Sequence, residues 1–247
     1  MDETLTKWIV ESNNIVFFGG AGVSTESNIP DFRSDNGVYM KKYRYPAEQM
    51  LSHTFFEQNP KEFYEFYFNQ MIYPDAKPNN AHRALTYLEK IGKCKAVITQ
   101  NIDGLHQVSG SKTVYELHGS VHRNTCTGCR NHYSLEEMFV QRDKDGIPRC
   151  PKCGRIIKPD VVLYEESLNN DILINAIRAI EQADMLIVGG TSLVVYPAAG
   201  LVQYFHGKHL VLINKDETSM DYKSDLVIHD SIGEVLGNVK NSLESIA

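Results

Sequence analysis

Two Cys-x-x-Cys pairs, Cys126-Thr-Gly-Cys129 and Cys150-Pro-Lys-Cys153, lie twenty residues apart in a chain of 247. Such a loop lets two thiolates converge on one ion, and two loops complete a tetrahedral four-sulfur site, so the chain between them must double back. Gly128 and Gly154 sit within or just after the pairs, where tight backbone turns are needed. All four ligands are thiolates, which leaves no position open for water or a reactant. One structural Zn2+ is therefore expected, with iron as the chemical alternative. The fifth cysteine, Cys94, stands alone beside an apolar run and reads as a small buried hydrophobe. An odd count with paired knuckles fits metal binding in a reducing compartment better than a disulfide framework. The expected location is the cytoplasm.

Outside this module, short apolar runs recur at 15–18, 96–98, 114–117, 185–188, 210–213 and 226–228, each ending in a polar or glycine-rich loop. They lack in-out alternation, as do strands buried on both faces of a parallel sheet. Helix-like stretches lie between several of them: Leu5, Trp8 and Ile9 at helical spacing, Ile174 to Ile180 more loosely, then 81–91, 196–205 and 231–243. This alternation predicts a doubly wound, mostly parallel, Rossmann-like α/β sheet. Two segments break the rhythm. Residues 34–78 lack a buried strand and carry Phe63-Tyr64-Glu65-Phe66-Tyr67-Phe68, and residues 121–158 hold the paired cysteines. The expected division is a sheet domain of 1–33, 79–120 and 159–247, with a smaller inserted domain made of a helical module (34–78) and a zinc ribbon (121–158).

The apolar stretch 185–205 is interrupted by Gly189, Gly190, Thr191, Ser192 and Pro197, so it does not read as a membrane span. Asp2 and Glu3 stand where a secretory peptide would carry positive charge. The formal net charge of −6 argues against a nucleic-acid partner held by bulk electrostatics. Residues 123–158 differ, with eight Lys/Arg against four Asp/Glu. That is either a solvated surface or a docking face for acidic partners.

The run at 15–18 leads directly into Gly19-Gly-Ala-Gly-Val-Ser-Thr25. A buried strand ending in a glycine-rich turn brings backbone N–H groups against a pyrophosphate in α/β folds, although a tight turn without a ligand has the same look. The third glycine of the usual dinucleotide fingerprint is absent, and no acidic residue stands on a second strand at the expected distance, so a generic dehydrogenase is a poor reading. Ile29-Pro-Asp-Phe-Arg33 follows, then Thr99-Gln-Asn-Ile-Asp103 and Leu117-His-Gly119, the last two just beyond predicted strands. Polar side chains gathered at the carboxyl edge of such a sheet are more than a solvated loop needs.

Together with the four cysteines, and with Pro159-Asp-Val-Val162, Gly190-Thr-Ser-Leu-Val-Val-Tyr-Pro-Ala198 and Ile213-Asn214 in the same order, these motifs resemble the sirtuin family over nearly the whole chain. The resemblance implies an NAD-dependent protein-lysine deacylase acting on acylated-lysine proteins. NAD is consumed: the acyl-lysine carbonyl oxygen displaces nicotinamide from the ribose, and water later frees lysine and O-acyl-ADP-ribose. It further implies that His118 is the general base on the ribose hydroxyls, a task suited to a group with an unperturbed pKa of about 6.5. Asn101 would orient the ribose and a water, Asp103 and the Ile102 backbone would grip the carboxamide, and Gln100 would contact the ribose. Gly20, Ala21, Gly22, Ser24, Thr25, Gly190, Thr191 and Ser192 match phosphate- and ribose-binding positions, and Asn214 the adenosine ribose. Phe32 and Arg33 belong to a loop whose phenyl ring would shield the ribose.

By the same resemblance the peptide adds as a strand between two segments, here 161–166 (Val161, Val162, Tyr164) and 193–196 (Val194, Val195). Where many members read Phe-Gly-Glu, this chain reads Tyr164-Glu165-Glu166. Members that remove succinyl or malonyl groups carry a tyrosine and, three residues on, an arginine; the matching positions here are Tyr67 and Gln70. Uncharged acyl groups are therefore expected, although the aromatics around Tyr67 also suit core packing. His106 closes its motif beside the site and is read for packing or capping, His82 as part of a helix start, and the remaining histidines, among them His53 and His122, as surface or packing residues. Two rivals stay open, a protein ADP-ribosyltransferase using NAD and a non-catalytic NAD or ADP-ribose sensor. Asn101, Asp103 and His118 weigh against the sensor, since a binder needs no general base.

Overall fold

The computed structural model describes residues 3–32, 37–40 and 43–246. Helix α1 (Glu3–Glu11) buries Leu5 and Ile9 and leads into strand β1 (Ile15–Gly19), buried at every position. Three helices follow: α2 (Ala47–Met50), α3 (His53–Gln58), in which the Ser52 hydroxyl accepts from the Phe55 amide, and α4 (Pro60–Gln70), with proline in its first turn. Helix α5 (Asn80–Lys90) starts from a reciprocal cap between Asn79 and His82 and enters β2 (Cys94–Thr99). Then come α6 (Leu105–Ser109), β3 (Val114–Glu116), β4 (Gly119–Cys126), β5 (His132–Tyr133) and α7 (Leu135–Val140). The chain ends with β6 (Ile157–Val161), α8 (Asn170–Gln182), β7 (Met185–Gly189), β8 (His209–Ile213), β9 (Leu226–Ile228) and α9 (Ile232–Ile246).

Among the described residues one sheet has the order β3-β2-β1-β7-β8-β9, parallel throughout. The lack of alternation in its strands now has a cause. Ile15, Phe17, Met185 and Ile187 face one cluster, with Leu5 and Ile9 of α1, Leu85 and Leu88 of α5 and Leu236 of α9. Val16, Phe18, Leu186 and Val188 face the other, with Ala176 and Ile180 of α8 and Leu201 and Val202. Both sides of β1 and β7 are covered, so both must be apolar.

The chain builds β1, β2 and β3 outward on one side and returns through β7, β8 and β9 on the other. Strand order therefore reverses between β1 and β7, and a crevice opens beyond their carboxyl ends. A second, antiparallel sheet, β5-β4-β6, carries the cysteine loops. Phe55, Phe63, Tyr64 and Tyr67 from α3 and α4 share one buried cluster with Tyr133, Leu135, Met138 and Ile157. The helical segment and the cysteine segment thus pack as one layer beside the large sheet.

One helix expected from sequence takes another form: the stretch placed at 196–205 is a 3-10 helix, Ala198–Tyr204. Pro197 has no N–H to donate, and Gly200 costs helix stability. No helix among the described residues is long and apolar enough to cross a membrane.

Candidate active site

The strand ends align closely at the crevice: Gly19 pairs with Thr99 and with Gly189, and Gly189 with Ile213. The loops beyond β1 and β7 press together. The Gly22 amide donates to the Gly190 carbonyl at 2.8 Å and Gly20 to Gly189 at 3.3 Å. A Cβ on Gly22 would lie 2.8 Å from Gly190 Cα, and one on Gly20 2.9 Å from Thr191 Cβ. These glycines are required by contact between loops. Within the turn, Val23 donates to Gly20 and Ser24 to Ala21, so most of its amides are already used. Those of Ala21, Thr191 and Ser192 donate to no acceptor among the described residues, which leaves them for an anionic ligand.

A cavity of about 440 Å3 runs from this crevice to the smaller sheet. Gly20, Ala21, Gly22, Ser24, Phe32, Gln100, Asn101, Ile102, Asp103, His118, Gly190, Thr191, Ser192 and Asn214 all line it, as do Val161, Val162, Tyr164, Val195, Tyr67 and Gln70. Two expected residues do not. The Thr25 hydroxyl turns back to the Gly22 carbonyl at 3.0 Å, and Val194 is 54% exposed. Arg33 lies outside the described residues.

Inside the cavity a hydrogen-bond chain joins two loops, and a separate bond reaches a third. Asn101 Nδ2 donates to Ser24 Oγ at 3.1 Å, and Ser24 donates to Asp103 Oδ2 at 2.7 Å. The Leu105 amide donates to Asp103 Oδ1 at 2.9 Å. Burial pushes the Asp103 carboxyl up, while these two donors favour its charged form. Gln100 Nε2 reaches Thr191 Oγ1 at 3.0 Å, tying the loop after β2 to the loop after β7.

His118 Nδ1 stands 3.0 Å from the Gln100 carbonyl. A carbonyl only accepts, so Nδ1 carries the proton and Nε2 keeps its lone pair. Burial holds the His118 pKa below its usual value, with the Gln100 bond working against it. The group is a neutral imidazole at neutral pH with one bare nitrogen, as a general base requires.

Sequence reasoning missed other parts of the wall. His122, read as a surface or packing residue, lines the cavity and donates from Nε2 to the Asp103 carbonyl at 3.0 Å. Nothing in its neighbours along the chain signals this, because β4 carries it there from beyond the Leu-His-Gly motif. Asp31 also lines the cavity; its place in Ile29-Pro-Asp-Phe32 was the available signal. His106 is buried, its ring 4.6 Å from that of His82, so it packs behind the site.

The cysteine loops meet apart from the cavity. The four sulfurs lie within 4.8 Å of one another, with Cys126 and Cys153 at 3.4 Å and Cys129 and Cys150 at 3.5 Å. Zinc–sulfur bonds of about 2.3 Å in a tetrahedron put sulfurs about 3.8 Å apart. The residues fit the ion.

Comparison with known proteins agrees with this geometry. A sequence model of the Sir2 family matches residues 20–197. The NAD-dependent protein deacetylase of Clostridium acetobutylicum is 61% identical over 237 residues, 95% of this chain and 96% of that protein. A solved Sir2 with a deacetylated p53 peptide and 3'-O-acetyl ADP ribose superposes with a TM-score of 0.90 at 39% identity, over 97% of both chains. A Sir2 with a p53 peptide and NAD+ gives 0.87 at 38%, over the whole of both.

Proposed function

The chain belongs to the Sir2 family, and we propose that His118, Asn101 and Asp103 carry its NAD-dependent protein-lysine deacetylation. NAD is a consumed co-substrate, and the four-cysteine site suits one structural zinc. Acylated-lysine proteins are the substrates. Nicotinamide is released, and the acyl group moves to ADP-ribose.

NAD supplies an activated ribose carbon; the protein does the rest. The observation that carries the assignment is the His118 tautomer. With Nδ1 committed to the Gln100 carbonyl, Nε2 can accept a proton from a ribose hydroxyl. Asn101, coupled to Ser24, orients the sugar and a water. Asp103 and the Ile102 backbone hold the carboxamide. The free amides of Ala21, Thr191 and Ser192 bind the pyrophosphate, and Asn214 the adenosine ribose. Phe32 covers the ribose after nicotinamide leaves, with Arg33 in the same loop.

In this reading residues 1–33, 79–120 and 159–247 form the NAD-binding unit and residues 34–78 and 121–158 the small one. The peptide pairs with Val161, Val162 and Tyr164 on one side and with Val194 and Val195 on the other. Tyr67 and Gln70 face the acyl group. The protein works in the cytoplasm, where four thiols remain available to a metal.

Incubation with NAD and an acetyl-lysine peptide, read by mass, tests the assignment. Expected products are deacetylated peptide, nicotinamide and O-acetyl-ADP-ribose. A peptide or protein carrying ADP-ribose would indicate the transferase instead, and bound but unconsumed NAD a sensor.

A further inference from the structure

The segment beyond β6 is tied down at some backbone groups and left unpaired at others. Val162 donates to the His118 carbonyl at 2.9 Å, Tyr164 to the Leu51 carbonyl at 3.0 Å, and His53 back to the Tyr164 carbonyl at 3.0 Å. The Glu165 amide, and the carbonyls of Val162 and Glu165, have no partner among the described residues. Val162, Tyr164 and Glu165 line the cavity.

Side chains lock the edge. Glu165 has φ +75°, a left-handed conformation that a residue with a Cβ disfavours. Its carboxylate offsets this by accepting from the Thr54 amide at 2.9 Å and the Thr54 hydroxyl at 2.7 Å. Next to it, Glu166 takes the Leu163 amide at 2.9 Å and Lys158 Nζ at 3.1 Å on one oxygen, and His53 Nδ1 at 2.8 Å on the other. Lys158 also donates to the Val161 carbonyl at 3.1 Å. Two consecutive carboxylates thus fasten one short segment to the start of α3 and to β6.

We propose that Glu165, Glu166 and His53 are positioning residues for the acyl-peptide, holding 162–165 as a preformed edge for the peptide backbone. The proposal rests on the reading that the peptide pairs with this edge. A preformed edge lowers the ordering cost of binding, so the residues act on peptide affinity, while His118 and the NAD loops stay untouched. The charged groups facing His53 are Glu57 on its own helix, Glu165 and Glu166 on the segment, and Lys158 on β6. The Glu166 contact raises the His53 pKa, so the clamp is complete while His53 is protonated and loosens as pH rises past its titration.

The test combines hydrogen exchange at 162–166 with kinetics on an acetyl-lysine peptide. Glu165→Ala should speed exchange there and raise peptide KM about tenfold, with kcat and the KM for NAD within about twofold. Glu165→Gln, which keeps an acceptor for Thr54, should restore most of the loss. Wild-type peptide KM should climb at alkaline pH, and His53→Leu should flatten that climb. Unchanged exchange in Glu165→Ala overturns the clamp. Faster exchange with unchanged peptide KM also overturns the proposal, and places the fault in the reading of this edge as the peptide partner.

Discussion

The Ser24 hydroxyl lies 2.7 Å from an Asp103 carboxylate oxygen and joins the turn after β1 to the loop after β2, across 79 residues of sequence. Ser24 also accepts from Asn101, so one hydroxyl orients two site residues. Ser24→Ala should leave Asp103 with only the Leu105 amide and Asn101 without its acceptor. Hydrogen bonds to charged groups contribute about 1.5–3 kcal/mol, so kcat/KM for NAD should fall about ten- to a hundredfold. Steady-state kinetics at saturating peptide would measure this, and an unchanged value would remove Ser24 from the network.

His118→Ala should lower kcat by about 10^2–10^4-fold with fold and zinc content intact. As the proposed base, His118 would work in its neutral form, and burial lowers its pKa. Activity should therefore persist as pH falls to 6.5 and decline only below it. A pH profile of kcat/KM with its acid limb above 6.5 would contradict the burial argument.

About one zinc per chain is expected, on Cys126, Cys129, Cys150 and Cys153. Cys126 ends β4, and the other three lie in the loops before β5 and β6, so the site ties the smaller sheet together. Chelation should unfold that sheet, because metal binding and folding are linked. Cys126→Ser should lower thermal stability and reduce activity indirectly. Elemental analysis alongside a melting curve would check both, and active, metal-free protein would refute the claim.

In the proposed reading, acyl choice depends on α4. Tyr67 is fully buried, its ring stacked on Phe63 at 5.7 Å, and its hydroxyl has no partner among the described residues, while Gln70 offers a neutral amide. A carboxylated acyl chain would be desolvated there with no Lys or Arg among the described lining residues to pair with it. Acetyl-lysine should be favoured over succinyl-lysine about ten- to a hundredfold in kcat/KM. Gln70→Arg should narrow the gap. The same peptide carrying each acyl group, assayed on both proteins, decides it.

The His82 and His106 rings are buried together, and burial lowers their pKa values to about 4 and about 3 from 6.5. Both are neutral in the folded protein and take up protons near 6.5 when unfolded. Their stabilising effect is complete above pH 6.5 and should be lost progressively toward pH 4 and 3, at roughly 1.4 kcal/mol per pKa unit. Urea titrations between pH 7 and 4 should show this loss, and a smaller one in His106→Leu. A pH-independent midpoint would mean the pair does not titrate on unfolding.

The alternation of buried strands and helices, the convergent cysteines and the polar loops beyond the strand ends were legible in the sequence because each depends on short-range signals. Uniformly apolar runs mark strands covered on both faces, Cys-x-x-Cys spacing sets convergent thiolates, and loops beyond strand ends collect polar groups. Contacts between distant segments were not legible. That Gly20 and Gly22 serve loop packing against Gly190 and Thr191, that His122 reaches the Asp103 carbonyl, and that Glu165 and Glu166 fasten a segment to Thr54 and His53 depends on which elements the fold sets side by side. The switch in strand order at β1 and β7 decides that for the glycines, and the shared aromatic core of the smaller unit for the glutamates. A residue's own neighbours in sequence carry the propensity for its local structure; its partner across the crevice is chosen only when burial of both sheet faces brings those ends together.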